Sequence, residues 1–380
     1  MTLHTELPPQ EHGPEAESDP RVKGTDAAQW RLVWRRFRRH RLAMIGMVVM
    51  VVMYLVAIFA GFVAPFSKSS FNAEQALQPP QLPKFSTEHG LHVHPSVGKT
   101  NLETMNLEFV EDETVIIELG FFVKGDSYQL LGFIDADRHL FGPKEPGERW
   151  YPLGGDRSGA DLLSRTIYGA QISLSIGLLG VAGSLVLGLL IGGISGYFGG
   201  WVDNLIQRVI EIIMSIPTLP LWLGLAAAIP PRWSSTFTYF MITMILSLIG
   251  WTTLARVIRG RLLQARGEDF VMAARLDGVS SAHIIGRHLL PSFASHIIAT
   301  VSLAVPSMIL AETALSFLGL GLRSPAVSWG VLLQDAQNVQ TLYSAPWLLI
   351  PGIAVVLAVV AFNFVGDGLR DSADPYGRRD

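Results

Sequence analysis

Two acidic residues interrupt long apolar stretches of this 380-residue sequence. Glu211 lies near the start of an apolar stretch over 209–230, and Glu312 lies deeper within one over 293–320. A carboxylate is expensive to bury in a membrane, so it typically marks an ion or substrate pathway. For Glu211 the alternative is contact with headgroup water or a pair with Arg208. For Glu312 a pathway and packing against a partner both stay open.

A possible phosphate-binding motif lacks its upstream half. Gly98-Lys99-Thr100 has the form of the end of a P-loop, but the upstream glycine would fall at Val93. No other Gly-Lys-Thr or Gly-Lys-Ser occurs, so we expect no ATP hydrolysis by that route in this chain. A Ser-His-Asp arrangement, an HExxH motif and paired carboxylates with a substrate cleft are also missing. No catalytic residue and no bound cofactor are therefore predicted.

Four histidines lie in the same segment as Gly98-Lys99-Thr100, and histidine is a common metal ligand. A solvated loop is the favoured interpretation of three histidines within six residues, and no metal site is predicted. These residues are His89, His92, His94 and His139.

The composition indicates a membrane protein. Hydrophobic residues make up 49% of the chain and charged residues 16%, whereas a typical soluble domain has about 25% charged residues. The lack of cysteine excludes disulfides, thiol catalysis and cysteine-ligated metals. The net charge of −3 provides no general basic surface for nucleic acid, so no such partner is expected.

Six apolar stretches are long enough, or nearly so, to cross a bilayer as helices of ~20 residues. They cover 42–64, 172–196, 209–230, 236–255, 293–320 and 343–365. Pro217 and Pro220 are expected to break the third helix, and Pro306 the fifth, as happens where helices line a cavity. A face of small residues in the second lets helices approach closely. This face consists of Gly188, Gly192, Gly196 and Gly200.

Lysine and arginine crowd into the N-terminal tail and one connection, which predicts that both termini and this connection are cytoplasmic. The basic run at 35–41 is either an anionic-lipid site or, as favoured, a topology signal with general attraction to membrane lipids. Residues 1–28 are expected to be disordered. The predicted parts are a tail over 1–41, a helix over 42–64, an acidic extracytoplasmic insert over 65–171, a transmembrane core over 172–366 with a cytoplasmic loop at 256–291, and a tail over 367–380.

The insert has two predicted halves. Residues 66–105 have the composition of a loop, whereas residues 107–142 carry strand signals. A turn is expected at 124–126, between strands over 114–124 and 128–134. We therefore expect an all-α membrane protein with six transmembrane helices and a small extracytoplasmic β-containing insert.

The loop at 256–291 predicts two helices joined by a rigid elbow. The first covers 268–277, and Gly278 suits the left-handed position that ends it. Ser280 or Ser281 can cap the next helix, which stops at Pro291. Two alanines, at 273 and 274, leave room for a partner surface. The alternative is an amphipathic loop lying on the membrane.

The elbow carries a resemblance to a known family. The run from Ala273 to Gly278 (AARLDG), followed by Leu290-Pro291, resembles the EAA loop of ABC importer permeases, which docks into a cleft of the ATPase subunit. Three further regions are similar to C-type subunits of dipeptide and oligopeptide permeases, and the resemblance covers about 30–64 and 150–380. They are 153–165 (LGGDRSGADLLSR), 312–321 (ETALSFLGLG) with Ser328-Trp329-Gly330, and the ending with Ala345-Pro346-Trp347, Asn363, 366–371 (GDGLRD) and Asp374-Pro375.

The resemblance implies the MetI-like permease fold in the plasma (inner) membrane. It also implies a homologous B-type permease, two ATP-binding subunits that hold ATP and magnesium, and an extracytoplasmic substrate-binding protein as partners. Peptides are the implied cargo, although relatives also carry nickel complexes and oligosaccharides. The implied ATPase-coupling residues are Glu268, Asp269, Ala273, Ala274, Arg275, Asp277, Gly278, His288, Leu290 and Pro291.

The sequence departs from the family at several points. Met272 stands where the family has the EAA glutamate, and His288 where it has an isoleucine. The insert is longer than in minimal members. Two other functions stay open: an ion-coupled secondary transporter or channel that uses Glu211 and Glu312, and a receptor-like scaffold centred on the acidic insert.

Overall fold

A computed structural model describes residues 25–100 and 107–373 of the chain. The predicted disorder over 1–28 lies outside these residues up to 24 and is wrong from Thr25, where the first helix begins. The tail predicted over 367–380 is helical up to Ala373, and 374–380 lie outside the described residues. Long apolar helices form a bundle, and a small β insert lies between the third and fourth helices. The predicted all-α membrane fold with a β-containing insert is confirmed.

The helices begin and end as follows. They are α1 (Thr25–Phe37), α2 (Arg41–Ile58), α3 (Ala60–Val63), α4 (Leu162–Phe198), α5 (Gly200–Ser215), α6 (Thr218–Ala227), α7 (Ser235–Ala265), α8 (Asp269–Leu276), α9 (Ser281–His283), α10 (Leu290–Ser292), α11 (Ala294–Phe317), α12 (Trp329–Gln334), α13 (Val339–Ser344) and α14 (Ile350–Ala373). A π-helical segment, Ile284–Leu289, joins α9 to α10.

Five helical segments of the described chain are long and apolar enough to cross a membrane, and α5 with α6 forms a sixth candidate bent by 84°. Pro217 lies at this bend. Pro220 falls in the first turn of α6, where a missing N–H is tolerated. The predicted break at Pro306 is wrong, because α11 runs through it. Pro306 is buried, and the packing of α11 against α4 and α14 holds the helix despite one lost hydrogen bond.

The second apolar stretch begins at residue 172, but α4 begins earlier, at Leu162. Asp161 explains the early start, because its carboxylate accepts hydrogen bonds from the backbone N–H of Leu163 at 3.3 Å and of Ser164 at 2.7 Å. Such a cap satisfies donors that a helix leaves open at its first turn. Hydropathy detects the apolar part of a helix and misses its polar first turns.

The insert contains a four-stranded antiparallel sheet in the order β1-β2-β5-β6 and a separate pair, β3-β4. Strands within 66–105 show that the loop predicted there is wrong in part. The strands are β1 (Lys84–Ser86), β2 (Gly90–Val93), β3 (Ser96–Thr100), β4 (Leu107–Glu111), β5 (Ile117–Leu130) and β6 (Ile134–Pro143).

The turn predicted at 124–126 is also wrong. Strand β5 passes through these residues, and the pairing with β6 only shifts its register between Lys124 and Tyr128. The chain reverses instead at Leu131 and Gly132, whose φ angles are +55° and +82°. Two consecutive positive φ angles match the twist of a tight β-hairpin.

The insert is fastened to the membrane helices through a buried histidine. His139 of β6 has Nδ1 2.6 Å from the carbonyl oxygen of Ala64, which follows α3, and Nε2 3.0 Å from the carbonyl oxygen of Asp126. His139 therefore does not join the other three histidines, whose rings lie against one another on β2 and beside it. No group of three His, Asp or Glu side chains in the described chain is placed to hold a metal ion.

Three glycines bring α4 and α7 into close contact. A Cβ at Gly192 would lie 2.6 Å from the carbonyl oxygen of Ala255, and one at Gly188 would lie 2.8 Å from the Cβ of Leu254. Gly196 meets Leu262 in the same way. Gly200 is not part of this contact, because α4 ends at Phe198 and a Cβ at Gly200 would meet open space.

Candidate coupling elbow and transmembrane cavity

The loop between α7 and α11 forms the elbow, which we define as residues 268–292. Helix α8 ends at Leu276, and Gly278 follows with φ +73°. The backbone N–H of Val279 donates to the carbonyl of Ala274 at 3.1 Å, as in a glycine-terminated helix. Ser280 precedes α9, but its side chain makes no capping hydrogen bond.

Helix α8 has one buried face. Val271 and Ala274 pack against Ile258 and Leu262 of α7 and against Ile284 of the π-helical segment. The sequence predicts that both alanines are open to a partner, and this is wrong for Ala274, which is buried. The small side chain at 274 therefore allows α8 to lie close to α7.

The other face of α8 is open and apolar. Leu276 is 88% exposed, Met272 53% and Phe270 45%. Ala273 lies on this side as well. Isolated exposed apolar residues are ordinary, but three large ones on an eight-residue helix mark a contact surface. We call Phe270, Met272, Ala273 and Leu276 the open face of the elbow.

The remaining predicted coupling residues surround this helix. Glu268 and Asp277 flank α8, and Asp269 opens its first turn; all three are exposed. Leu290 packs against the elbow core, and Pro291 is exposed at the short helix α10. The backbone of His288 lies in the π-helical segment.

Arg275 ties the elbow to the end of α4. Its guanidinium carbon lies 4.8 Å from the ring centroid of Tyr197, and its Nε donates to the Tyr197 hydroxyl at 3.3 Å. A cation over an aromatic face is attracted by the ring's charge distribution. Helix α8 thus contacts both α7, through apolar side chains, and α4, through Arg275.

A charged pair that the sequence did not reveal lies nearby. Arg259 of α7 donates to both carboxylate oxygens of Asp203 in α5, at 2.5 and 2.6 Å. Ser195 of α4 also donates to Asp203 at 2.5 Å. This two-pronged geometry is stronger than a single contact. The three side chains join α4, α5 and α7. In the sequence, this pair is indicated only by the position of both charged residues at the edges of apolar stretches.

A cavity of about 550 Å³ opens between α5, α6, α7 and α11. Its wall mixes apolar side chains with polar ones, including Thr218, Thr253, His296 and Arg370. The indole N–H of Trp222 is buried without a hydrogen-bond partner in the described part of the chain, and Trp222 lines the cavity. A buried donor of this kind favours an acceptor from a ligand or water.

The two prolines border this cavity without lining it. Pro217 precedes Thr218 at the bend between α5 and α6, and Pro306 precedes Ser307 in α11. Thr218 and Ser307 are wall residues. The bend at Pro217 therefore shapes one side of the cavity.

Glu312 lies in the interior of this subunit. Its carboxylate accepts hydrogen bonds from Ser316 and Ser328 at 2.8 Å each and from Ser173 at 3.1 Å. The side chain is completely buried. It joins α4, α11 and the start of α12, so its contacts in this chain are those of a packing residue.

Glu211 lies at an exposed position on α5 and pairs with Arg208 one turn earlier, at 2.8 Å. Neither Glu211 nor Glu312 belongs to the wall of the 550 Å³ cavity. The two carboxylates that the sequence singled out are therefore not brought together at that cavity.

Comparisons with known proteins agree with this architecture. Residues 188–377 match the family described as the binding-protein-dependent transport system inner membrane component. Residues 28–80 match the N-terminal transmembrane domain of oligopeptide transport permease C.

Named permease proteins are similar along most of their length. The dipeptide transport system permease protein DppC of Alkalihalophilus pseudofirmus is 36% identical, with 63% of this chain and 76% of the relative covered. The oligopeptide transport system permease protein OppC of Haemophilus influenzae is 39% identical, with 64% of this chain and 76% of the relative covered. OppC of Mycobacterium bovis is 38% identical, with 61% of this chain and 78% of the relative covered.

One solved structure, an inward-facing form of the MetNI methionine ABC transporter, aligns with 17% identity and a TM-score of 0.43, covering 55% of this chain and 96% of that one. The family match covers half of the chain, and the relatives are covered over more than two thirds of their length. The chain belongs to the family of binding-protein-dependent transport system inner membrane components, the permease subunits of ABC importers.

Proposed function

We propose that this chain is one of two permease subunits of an ABC importer that moves di- or oligopeptides across the plasma (inner) membrane. The other subunit would be a homologous B-type permease, and an extracytoplasmic binding protein would deliver the peptide. Two separate ATP-binding subunits would hold ATP and magnesium. The names of the relatives at 36–39% identity support the peptide cargo.

The elbow carries this proposal. Its open face, with Leu276 at 88% exposure, would contact the apolar part of the cleft in an ATPase subunit. Its buried face and Arg275 fasten it to α7 and α4. A helix that contacts a partner on one side and two membrane-spanning helices on the other can transmit a movement of the partner to those helices. The helices would then shift between two packed arrangements.

ATP would act on this chain only through the ATPase subunits. A ligand shifts a conformational equilibrium only by binding one state more tightly than the other. Closure of the ATPase pair would therefore displace the elbow, and α7 and α4 would move with it. The close α4–α7 contact at Gly192 would keep these two helices together during that movement.

The 550 Å³ cavity is the proposed contribution of this chain to the translocation pathway. Its wall includes the bent pair α5–α6, and irregular backbone at membrane depth is tolerated where it faces a cavity. Trp222 lines this wall, and its buried indole N–H would donate to a peptide carbonyl once the side chains that cover it move. The distribution of lysine and arginine supports cytoplasmic termini and a cytoplasmic elbow.

The test targets the open face of the elbow. Leu276→Glu and Phe270→Glu place charges on exposed positions, so folding should be unaffected while docking of the ATPase is lost. The matched control is Leu82→Glu, at a leucine that is 77% exposed in the insert. The measurements are co-purification of the ATPase subunits and peptide uptake by proteoliposomes. Full uptake by both elbow variants would overturn the docking assignment.

An ion-coupled transporter is not favoured by the geometry. Glu312 is bound to three serines of its own chain, and Glu211 is exposed beside Arg208. Uptake that follows an imposed proton or sodium gradient without ATP would support that alternative instead.

A further inference from the structure

A second and larger cavity, of about 920 Å³, lies between the β5–β6 hairpin of the insert and the helices α2 and α4. It shares no wall residue with the cavity between α5, α6, α7 and α11. The proposed pathway and elbow do not use it. Its position places one end beside the insert and the other against membrane-spanning helices.

The end beside the insert is polar. Lys68, flanked by Ser67 and Ser69, comes from the segment after α3, and Asp135 and Gln129 come from the hairpin. Lys68 and Asp135 are the charged wall residues among the described part of the chain, one cation and one anion. Asp135 is held by the Gln129 amide at 3.3 Å. This end therefore suits a group that carries both a phosphate and an amine.

The other end is apolar and lies on membrane-spanning helices. Ile58 of α2 and Leu178 of α4 line it, and both are about half exposed on helices that cross the membrane. The hairpin tip is apolar as well, because Leu131, a wall residue, and Phe133 are 54% and 74% exposed. A water-facing hairpin turn is normally polar, so this tip is suited to contact acyl chains.

One wall residue also carries a buried hydroxyl without a partner in the described residues. Tyr54 of α2 lines the wall, and its hydroxyl is buried without a hydrogen bond in the described residues. Burial without a partner is unfavourable for a polar group. A rotation of this side chain toward the cavity would let an ester or phosphate oxygen of a bound molecule accept the hydrogen bond.

We propose that this cavity is a binding site for a zwitterionic glycerophospholipid with an amine-bearing headgroup, phosphatidylethanolamine, drawn from the leaflet on the insert side. The phosphate lies at Lys68 with the hydroxyls of Ser67 and Ser69, and the ammonium lies at Asp135. The acyl chains lie against Ile58 and Leu178 and cover the hairpin tip. The lipid thereby joins the insert to α2 and α4.

The experiment measures lipid binding by the full chain in its assembled complex, by native mass spectrometry after delipidation and titration with one lipid at a time. The probes are phosphatidylethanolamine, phosphatidylglycerol and phosphatidylcholine. Lys68→Gln and Asp135→Asn should each weaken phosphatidylethanolamine binding about tenfold, the effect of one charge-assisted hydrogen bond. Leu178→Trp should block binding by filling the apolar end.

Matched controls separate the site from general effects. Lys84→Gln removes a lysine that pairs with Glu111 elsewhere on the insert. Leu190→Trp alters another leucine of α4, which is 60% exposed and does not line the cavity. Both should bind phosphatidylethanolamine like the unaltered chain. Equal binding by Lys68→Gln and the unaltered chain overturns the site. Equal affinity for phosphatidylglycerol overturns the headgroup assignment, and a peptide retained at this cavity in place of lipid overturns the proposal.

Discussion

The guanidinium of Arg275 lies 4.8 Å from the ring centroid of Tyr197, so α8 is attached to a residue at the end of a helix 78 positions earlier in the chain. The same helix is attached to α7 by the burial of Val271. Two attachments of different chemistry hold the elbow, and each can be removed separately.

Removing the Arg275–Tyr197 contact should uncouple the elbow from α4. Arg275→Ala and Tyr197→Leu should each reduce peptide-stimulated ATPase activity, and the double variant should be no worse than either alone. Tyr197→Phe should be milder, because it keeps the aromatic face and loses only the 3.3 Å hydrogen bond. The contact is worth about 0.5–1 kcal/mol at an exposed site. Fully additive effects in the reconstituted complex would contradict this pairing.

Substitutions at Gly278 change the backbone conformation of the elbow without changing its side-chain contacts. A Cβ there would meet open space, but φ is +73°. Gly278→Ala should therefore destabilise the elbow by about 1–2 kcal/mol through left-handed strain alone. Gly278→Asn should be better tolerated, because asparagine visits this conformation. The measurement is the amount of ATPase subunits that co-purify with each variant. Equal amounts with Gly278→Ala and Gly278→Asn would contradict the role of left-handed strain.

The α4–α7 contact should be intolerant of added volume. In Gly192→Ala the new Cβ would lie 2.6 Å from a backbone oxygen and 2.9 Å from the Cα of Ala255, so the helices must separate. The control is Gly260→Ala on α7, where a Cβ meets nothing within 4 Å. That variant should be neutral or stabilising by up to about 1 kcal/mol through helix propensity. Thermal inactivation of the purified complex distinguishes the two.

Glu312 should act in packing. Glu312→Ala leaves three buried serine hydroxyls without their acceptor, and each unsatisfied group costs about 1–3 kcal/mol. Glu312→Gln keeps one acceptor oxygen and supplies donors that serine oxygens can accept. We expect low membrane yield for Glu312→Ala and near-normal ATP-driven uptake for Glu312→Gln. Loss of uptake by a well-folded Glu312→Gln would instead indicate a charged role in the pathway.

Asp161, just before α4, should make stability depend on pH. Burial raises the pKa of its carboxyl to about 7, against hydrogen bonds that lower it. The folded state then holds a proton that the unfolded state releases near pH 4. This contribution is complete below about pH 4, declines as pH rises and is gone above about 7. Asp161→Asn, which still caps the helix, should flatten this decline in pH-dependent thermal unfolding. If the thermal stability of Asp161→Asn declined between about pH 4 and 7 as steeply as that of the unaltered chain, this role of Asp161 would be contradicted.

The amino-acid sequence by itself determined the membrane architecture and the family. Lipid cannot satisfy an open backbone, so long apolar stretches must become helices wherever they occur. Gly278 ends α8 for an equally local reason, since few residues other than glycine adopt its left-handed φ easily. Motifs at ordered spacings, such as 273–278 with 290–291, needed no knowledge of the fold.

The tertiary structure decided which side chains meet. Asp203 and Arg259 are 56 positions apart and pair only because α5 and α7 pack together. Whether Ala274 faces a partner or its own core depends on where α7 lies, and the partners of Glu312 depend on how α4 and α12 surround it. Local pattern fixes the kind of element because backbone energetics act over a few residues. The faces that pack against one another are set by contacts between residues far apart in sequence.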